Sequence, residues 1–168
     1  MTEANVIQDE AIPQDLSVAS CGRGIVEYSR VGKDIHSFTT DLVALPSLTI
    51  DFTGVPENSR SGVASRLLCF AALYCFCNTL ASELTSRNVN IKSLHGRATP
   101  TKTKDDYNRT RIKRIFIDVE VDVDDKDLPA LAECREVMAM GSLITYSMNE
   151  SIEVDQVIRR CGDTDGLF

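Results

Sequence analysis

The feature that most constrains this chain is one apolar segment of helical length, residues 67–84, which reads LLCFAALYCFCNTLASEL. Apolar residues recur there at steps of three and four along more than one face, and the pattern predicts a helix over about residues 62–86. A helix that is apolar on more than one face has to be buried on more than one face. We therefore expect a central helix that packs between layers of structure or at a subunit interface.

The residues before this helix predict β-structure. Residues 25–29 and 35–39 alternate around the turn sequence Gly-Lys-Asp and predict a hairpin, and residues 48–52 predict a third strand. The loop that follows is rich in Gly, Pro, Asn and Ser, and Ser61 at its end is a candidate N-cap for the helix.

The residues after the helix predict further strands and a second helix. Residues 89–99 predict a strand, and residues 115–123 alternate aliphatic with mostly acidic side chains, which is typical of a half-exposed antiparallel strand. Asp127 is a candidate N-cap for a second helix over residues 130–140, and residues 151–158 predict a final strand. Strands and helices do not alternate as they do in a doubly wound sheet, so the order predicts an α+β fold.

Length, composition and charge limit the class of protein. With 168 residues, 43% of them hydrophobic, the chain predicts a single domain over residues 21–168 after a flexible, acidic lead-in over residues 1–20. A formal net charge of −7 argues against nucleic acid as a partner, because phosphate binding needs a basic surface.

The sequence also predicts a cytoplasmic protein without a membrane span. The N-terminus lacks the basic and apolar regions of a signal peptide. The longest unbroken apolar run, residues 67–77, is shorter than the roughly 20 residues that a bilayer requires. We therefore expect the six cysteines to be mostly reduced.

The cysteine spacing predicts neither a metal site nor a cofactor. The chain contains no C-x-x-C pair, and Cys75 and Cys77 would point about 200° apart around a helix, so they could neither chelate one metal nor form a disulfide. A buried free cysteine often behaves as a small apolar residue. Cys75, in the middle of the apolar helix, is therefore either a packing residue or a protected reactive centre.

Two segments carry a resemblance to a known family. Cys75 is followed by Thr79 and Leu80, four and five residues on, and residues 141–145 (GSLIT) precede the final strand at a characteristic spacing. In this respect the chain resembles the OsmC and Ohr family of thiol-dependent peroxide reductases over roughly residues 22–158.

The resemblance implies both a fold and a chemistry. It implies antiparallel β-sheets packed around two central helices in an intertwined homodimer. It also implies that Cys75 attacks an organic hydroperoxide as a thiolate and becomes a sulfenic acid, which a second cysteine and then an external thiol reductant return to the thiol. In this family, an arginine and a glutamate near the first cysteine help to form the thiolate and to orient the substrate.

The chain departs from the family pattern at the remaining site positions. Ser142 occupies the position of the second cysteine, and Ser65 occupies that of the glutamate. Arg60 and Arg66 are candidates for the arginine, and Cys134 is a less favoured candidate for the resolving cysteine.

Two functions therefore stay open. One is reduction of organic hydroperoxides by Cys75 in defence against oxidative stress, with an external thiol in place of the second cysteine. The other is a catalytically degenerate protein that keeps the dimer and binds a small apolar ligand or a protein partner.

Overall fold

The computed structural model describes residues 24–162, so the predicted lead-in over residues 1–20 lies outside the described residues. The described part of the chain contains six strands and three α-helices, in the following order: β1 (Val26–Val31), β2 (Ile35–Thr40), β3 (Ser47–Asp51), α1 (Val63–Ser86), β4 (Ser93–Lys104), β5 (Thr110–Asp122), α2 (Leu128–Met138), α3 (Leu143–Met148) and β6 (Glu153–Arg160). This arrangement confirms the predicted α+β class. The chain forms two compact units, Met1–Arg60 and Ser61–Phe168, and one domain over residues 21–168 stays a prediction.

The first unit is a three-stranded antiparallel meander in the order β1-β2-β3. Gly32, with φ of 62°, forms the turn of the predicted hairpin. No residue between 24 and 60 is fully buried, and apolar side chains of β1 such as Val26 and Tyr28 are exposed. The meander by itself therefore contains no hydrophobic core.

The second unit contains a sheet in the order β4-β5-β6. β4 and β5 form a long antiparallel hairpin, as predicted, but β6 runs parallel to β5. The expectation of purely antiparallel sheets is wrong for this one pair, because α2 and α3 carry the chain back to the end at which β5 began. The predicted alternation of β5 is confirmed, since Ile115, Ile117, Val119 and Val121 are fully buried.

Helix α1 covers the buried face of this sheet. Ala72, Phe76, Leu80 and Leu84 are fully buried in one cluster with the aliphatic residues of β5. The opposite face is open: Phe70 and Tyr74 are 61% and 65% exposed, and their rings stack with centroids 6.3 Å apart. Only one face of the apolar helix is therefore buried within the chain.

By length and composition, the helical stretch Glu57–Ser86 could cross a membrane, and 28% of its most apolar part is buried inside the chain. A helix in the core of a soluble protein can have the same length and composition. The packing of α1 against β4, β5, α2 and α3 assigns it to the core.

Helix and strand ends differ from the predictions at a few positions. The N-cap of α1 is Gly62 rather than Ser61, and its φ of 85° is a left-handed conformation that glycine adopts without strain. β4 begins four residues later than predicted, because Asn88 in a left-handed conformation ends α1 and Val89 then packs into the core. Asp127 does precede α2, but its side chain makes no capping hydrogen bond.

Candidate functional site

Cys75 lies half-buried near the middle of α1. It follows the fully buried Ala72 by three residues and precedes the fully buried Phe76, so it sits at the edge of the buried face. One turn further on, the Thr79 hydroxyl donates a hydrogen bond of 2.9 Å to the Cys75 carbonyl oxygen. The threonine of the family signature therefore bonds to the backbone of the turn that carries the thiol.

A cavity of the second unit lies on a different side of α1. It measures about 470 Å³ and is lined by Ser65, Arg66, Cys69, Phe70 and Leu73 of α1 together with Ala98, Thr99, Pro100 and Lys102 of β4. Cys75 is absent from this lining, because it lies six residues after Cys69 and so about 240° further around the helix. We call this cavity, bounded by those nine residues, the Cys69 groove.

Burial disfavours ionisation of three of the other thiols. Desolvation raises the pKa of Cys69 and of Cys77 above the ordinary value for a thiol. It also raises the pKa of Cys134, although the nearby Arg87 guanidinium partly opposes this effect. Thiol groups held in the neutral form are poor nucleophiles, so these three are suited to packing rather than to reaction with peroxide.

Ser142 has a structural role at the start of α3. It is 3% exposed, and its backbone N–H donates a hydrogen bond of 2.7 Å to the Oγ1 atom of Thr145. The Ser142 hydroxyl lies 3.2 Å from the same Thr145 oxygen, which in turn donates to the Ser142 carbonyl. Ser142, to which the sequence resemblance assigns the position of the second cysteine, is thus part of a buried helix cap.

Ser65 and Arg66 both bond to the backbone at the start of α1. The Ser65 hydroxyl donates to the Gly62 carbonyl oxygen at 2.9 Å, and Nη1 of Arg66 donates to the same oxygen at 3.1 Å. Glycine is favoured here for its backbone angle, and a Cβ atom on Gly62 would lie 2.6 Å from that nitrogen and displace the end of the Arg66 side chain. Both side chains also line the Cys69 groove.

Arg60 is bound within the first unit. Its guanidinium pairs with the Asp34 carboxylate and donates to the carbonyl oxygens of Val55 at 2.8 Å and Phe52 at 3.1 Å. It also lies over the Phe52 ring, 5.6 Å from the centroid. These contacts close the loop after β3, and they give the side chain a structural role that its sequence position did not predict.

Cys134 is fully buried in the core cluster of the second unit. All five cysteines in the described residues (Cys69, Cys75, Cys77, Cys134 and Cys161) are free. Within residues 24–162, no three His, Cys, Asp or Glu side chains lie close enough to hold a metal ion. The described side chains therefore offer thiol chemistry, and Cys75 is a half-buried cysteine in the middle of α1.

Comparison with known proteins gives a likeness of fold. No family model matches the chain, and no curated protein matches its sequence. Among solved structures, an OsmC-like protein from Mycoplasma pneumoniae matches with a TM-score of 0.66 at 10% identity, over 83% of this chain and 98% of the other. An OsmC-like protein of unknown function from Vibrio cholerae matches with a TM-score of 0.57 at 14% identity, over 82% and 96%.

An organic hydroperoxide resistance protein from Elizabethkingia anophelis matches with a TM-score of 0.54 at 11% identity, over 81% of this chain and 96% of the other. The chain therefore has the OsmC-like α+β fold across most of its length. The resemblance predicted from the sequence is confirmed at the level of the fold, and the low identity fits a divergent member of that group.

The Cys69 groove was not predicted from the sequence. Its lining comes from two elements about 30 residues apart in the chain, and only their packing brings Arg66 and Lys102 to one cavity. Ser65, Cys69 and Leu73 recur at four-residue steps, which places them on one face of the helix. This spacing is the one feature of the sequence that pointed to the helix side of the groove.

Proposed function

We propose that this protein reduces organic hydroperoxides through Cys75, with an external thiol in place of a second cysteine. The observation that carries the proposal is the position of Cys75: a half-buried free thiol in the middle of the central helix of an OsmC-like fold. The helix around it is largely apolar, which suits the body of an organic hydroperoxide. The proposed role is defence against oxidative stress.

The chemistry uses one protein sulfur and one external reductant. The Cys75 thiolate attacks the outer oxygen of the peroxide, the O–O bond breaks, and the alkoxide leaves as the alcohol after it takes up a proton. Cys75 is then a sulfenic acid. A first external thiol displaces water from it and forms a mixed disulfide, and a second external thiol releases Cys75 and leaves as the oxidised disulfide. Ser142 cannot replace these external thiols, since it has no sulfur.

The test is intact mass spectrometry of the reduced protein after one equivalent of cumene hydroperoxide. We expect rapid addition of one oxygen atom in the wild type, and no such addition in Cys75→Ser. The matched control is Cys77→Ser, two residues further along the same helix, which should react like the wild type. Equal oxygen uptake in the wild type and Cys75→Ser would contradict the proposal, and loss of two hydrogens would identify a resolving cysteine.

We further propose that the protein is a cytoplasmic homodimer. In support, α1 exposes the stacked rings of Phe70 and Tyr74, and the meander of the first unit exposes Val26 and Tyr28. On each unit taken by itself, exposed apolar surface of this kind supports an interaction site. The five free thiols of the described residues are consistent with a reducing compartment.

A second candidate function is the binding of a small apolar ligand without catalysis. It is favoured by the Cys69 groove, which has a volume of about 470 Å³ and is not lined by Cys75. It is also favoured by the use of Ser142 and Ser65 in helix-end hydrogen bonds, since neither position then supplies a catalytic group.

A further inference from the structure

We propose that the Cys69 groove binds an amphipathic organic anion, a molecule with an extended apolar body and a carboxylate or sulfonate head group. The proposal deepens the second candidate function, because it names where the ligand binds and what chemistry the ligand has. It does not depend on the reactivity of Cys75, which lies outside the groove.

Both elements contribute apolar side chains to the groove. Phe70 and Leu73 come from α1, and Ala98 and Pro100 come from the facing strand β4. The volume of about 470 Å³ falls within the range of small-molecule sites in proteins. Leu73 and Ala98 pack against the core cluster but are only partly buried, so a ligand in the groove would remove more of their apolar surface from water. These surfaces would hold the apolar body of the ligand.

The charged groups of the groove are two cations, one on each wall. Arg66 comes from α1 and Lys102 from β4, and no carboxylate lines the groove. Among the described residues neither cation forms an ion pair, although nine salt bridges occur elsewhere in the described part of the chain. The protein has 25 acidic and 18 basic residues. Two cations facing a cavity without a carboxylate thus leave positive charge available to a ligand.

The two cations differ in how firmly they are held. Nη1 of Arg66 is fixed by the Gly62 carbonyl at 3.1 Å and by the Ser61 carbonyl at 3.4 Å, which leaves its other N–H groups to donate. The ammonium group of Lys102 makes no hydrogen bond to a described residue and sits on a flexible side chain, so it can move with the head group of the ligand. An anionic head group between them would receive donors from both walls while its apolar body lies along Leu73 and Ala98.

The first experiment is isothermal titration calorimetry of the full-length protein with dodecanoate, below its micellar concentration and at low salt. We expect saturable binding of dodecanoate and much weaker binding of dodecanol, which has the same chain without the charge. Lys102→Gln should weaken dodecanoate binding by about fivefold, the scale of one partly exposed charge interaction. The matched control is Lys104→Gln, on the same strand but outside the groove, which should bind like the wild type.

A second measurement locates the ligand. Cys69 lines the groove and is 6% exposed, whereas Cys161 is exposed and lies on a separate element. Alkylation of the buried Cys69 by N-ethylmaleimide is expected to be slow over hours of incubation; dodecanoate should slow it further and leave that of Cys161 unchanged, as read by peptide mass spectrometry. Ala98→Phe, which fills the groove from β4, should remove both the binding and the protection.

Four results would overturn the inference. These are equal affinity for dodecanol and dodecanoate, equal loss of affinity in Lys102→Gln and Lys104→Gln, binding without protection of Cys69, and absence of binding by both molecules. Binding of dodecanol as tight as that of dodecanoate would contradict the anionic site but leave the second candidate function intact. Absence of binding by both molecules would contradict both.

Discussion

At the scale of single residues, the hydrogen bonds of Ser142 give this serine a structural role. The sequence shows only that it differs from the cysteine that the resemblance implies at this position. A cysteine at this position could form a disulfide. The serine instead belongs to a buried helix cap, in which Oγ1 of Thr145 accepts a hydrogen bond from the Ser142 N–H. A buried backbone N–H without a partner costs free energy, so the cap makes its own contribution to stability.

Replacing Thr145 with valine tests that contribution. Valine keeps the branched shape but removes the oxygen that accepts from the Ser142 N–H, and we expect the free energy of unfolding to fall by about 1–2 kcal/mol. Urea denaturation followed by circular dichroism measures the change. The control is Ser147→Ala on the same helix, whose exposed hydroxyl donates to the Leu143 carbonyl and should contribute less than about 0.5 kcal/mol. Equal losses in the two variants would contradict the cap.

At the scale of elements, the contact between α1 and β4 sets where the helix thiols lie. Gly96 of β4 stands opposite Leu73 and Cys77: a Cβ atom on it would lie 2.8 Å from Cδ1 of Leu73 and 3.0 Å from Sγ of Cys77. The strand therefore approaches the helix closely at this point because residue 96 has no side chain. The same approach directs Cys77 towards the sheet, away from Cys75.

Gly96→Ala should consequently destabilise the protein. We expect the free energy of unfolding to fall by about 1 kcal/mol. The added methyl group overpacks the contact, and this cost exceeds the stabilisation that alanine gains over glycine because it loses less backbone entropy on folding. Since the clash is with the end of the Leu73 side chain, the loss should shrink in a Leu73→Ala background. Denaturation of the four proteins of this double-mutant cycle measures the coupling, and strictly additive effects would show that the two residues do not meet.

At the scale of the whole molecule, the exposed apolar surface is the main feature that the chain alone does not account for. Phe70 and Tyr74 stack in water on a helix that the sequence predicts to be buried on more than one face. A second copy of the chain would cover this surface, which is the arrangement proposed above.

Tyr74→Lys tests the dimer. We expect a dimeric wild type and a monomeric variant in sedimentation velocity experiments at micromolar concentration, because an unpaired charge is costly to bury in the proposed interface. Tyr107→Lys is the matched control, since Tyr107 is equally aromatic and 80% exposed but lies in the turn between β4 and β5. A monomeric wild type, or dissociation by both substitutions, would contradict the proposed interface.

The sequence by itself determined the α+β class, the extent of α1 and the alternation of β5. These features depend on local periodicity, because apolar residues at helical or strand spacing report which face of one element is buried. The cysteine signature around Cys75 likewise lies within a single helix, and it led to the fold that the solved structures confirm.

Only the tertiary structure decided the direction of β6, the structural roles of Ser142 and Arg60, and the lining of the Cys69 groove. Each of these depends on which elements pack together: β6 on its pairing with β5, Ser142 on a buried cap, and the groove on β4 lying against α1. The spacing of residues along one element carries no information on its neighbour. For that reason a serine in a cap and a serine at a lost catalytic position look the same in the sequence.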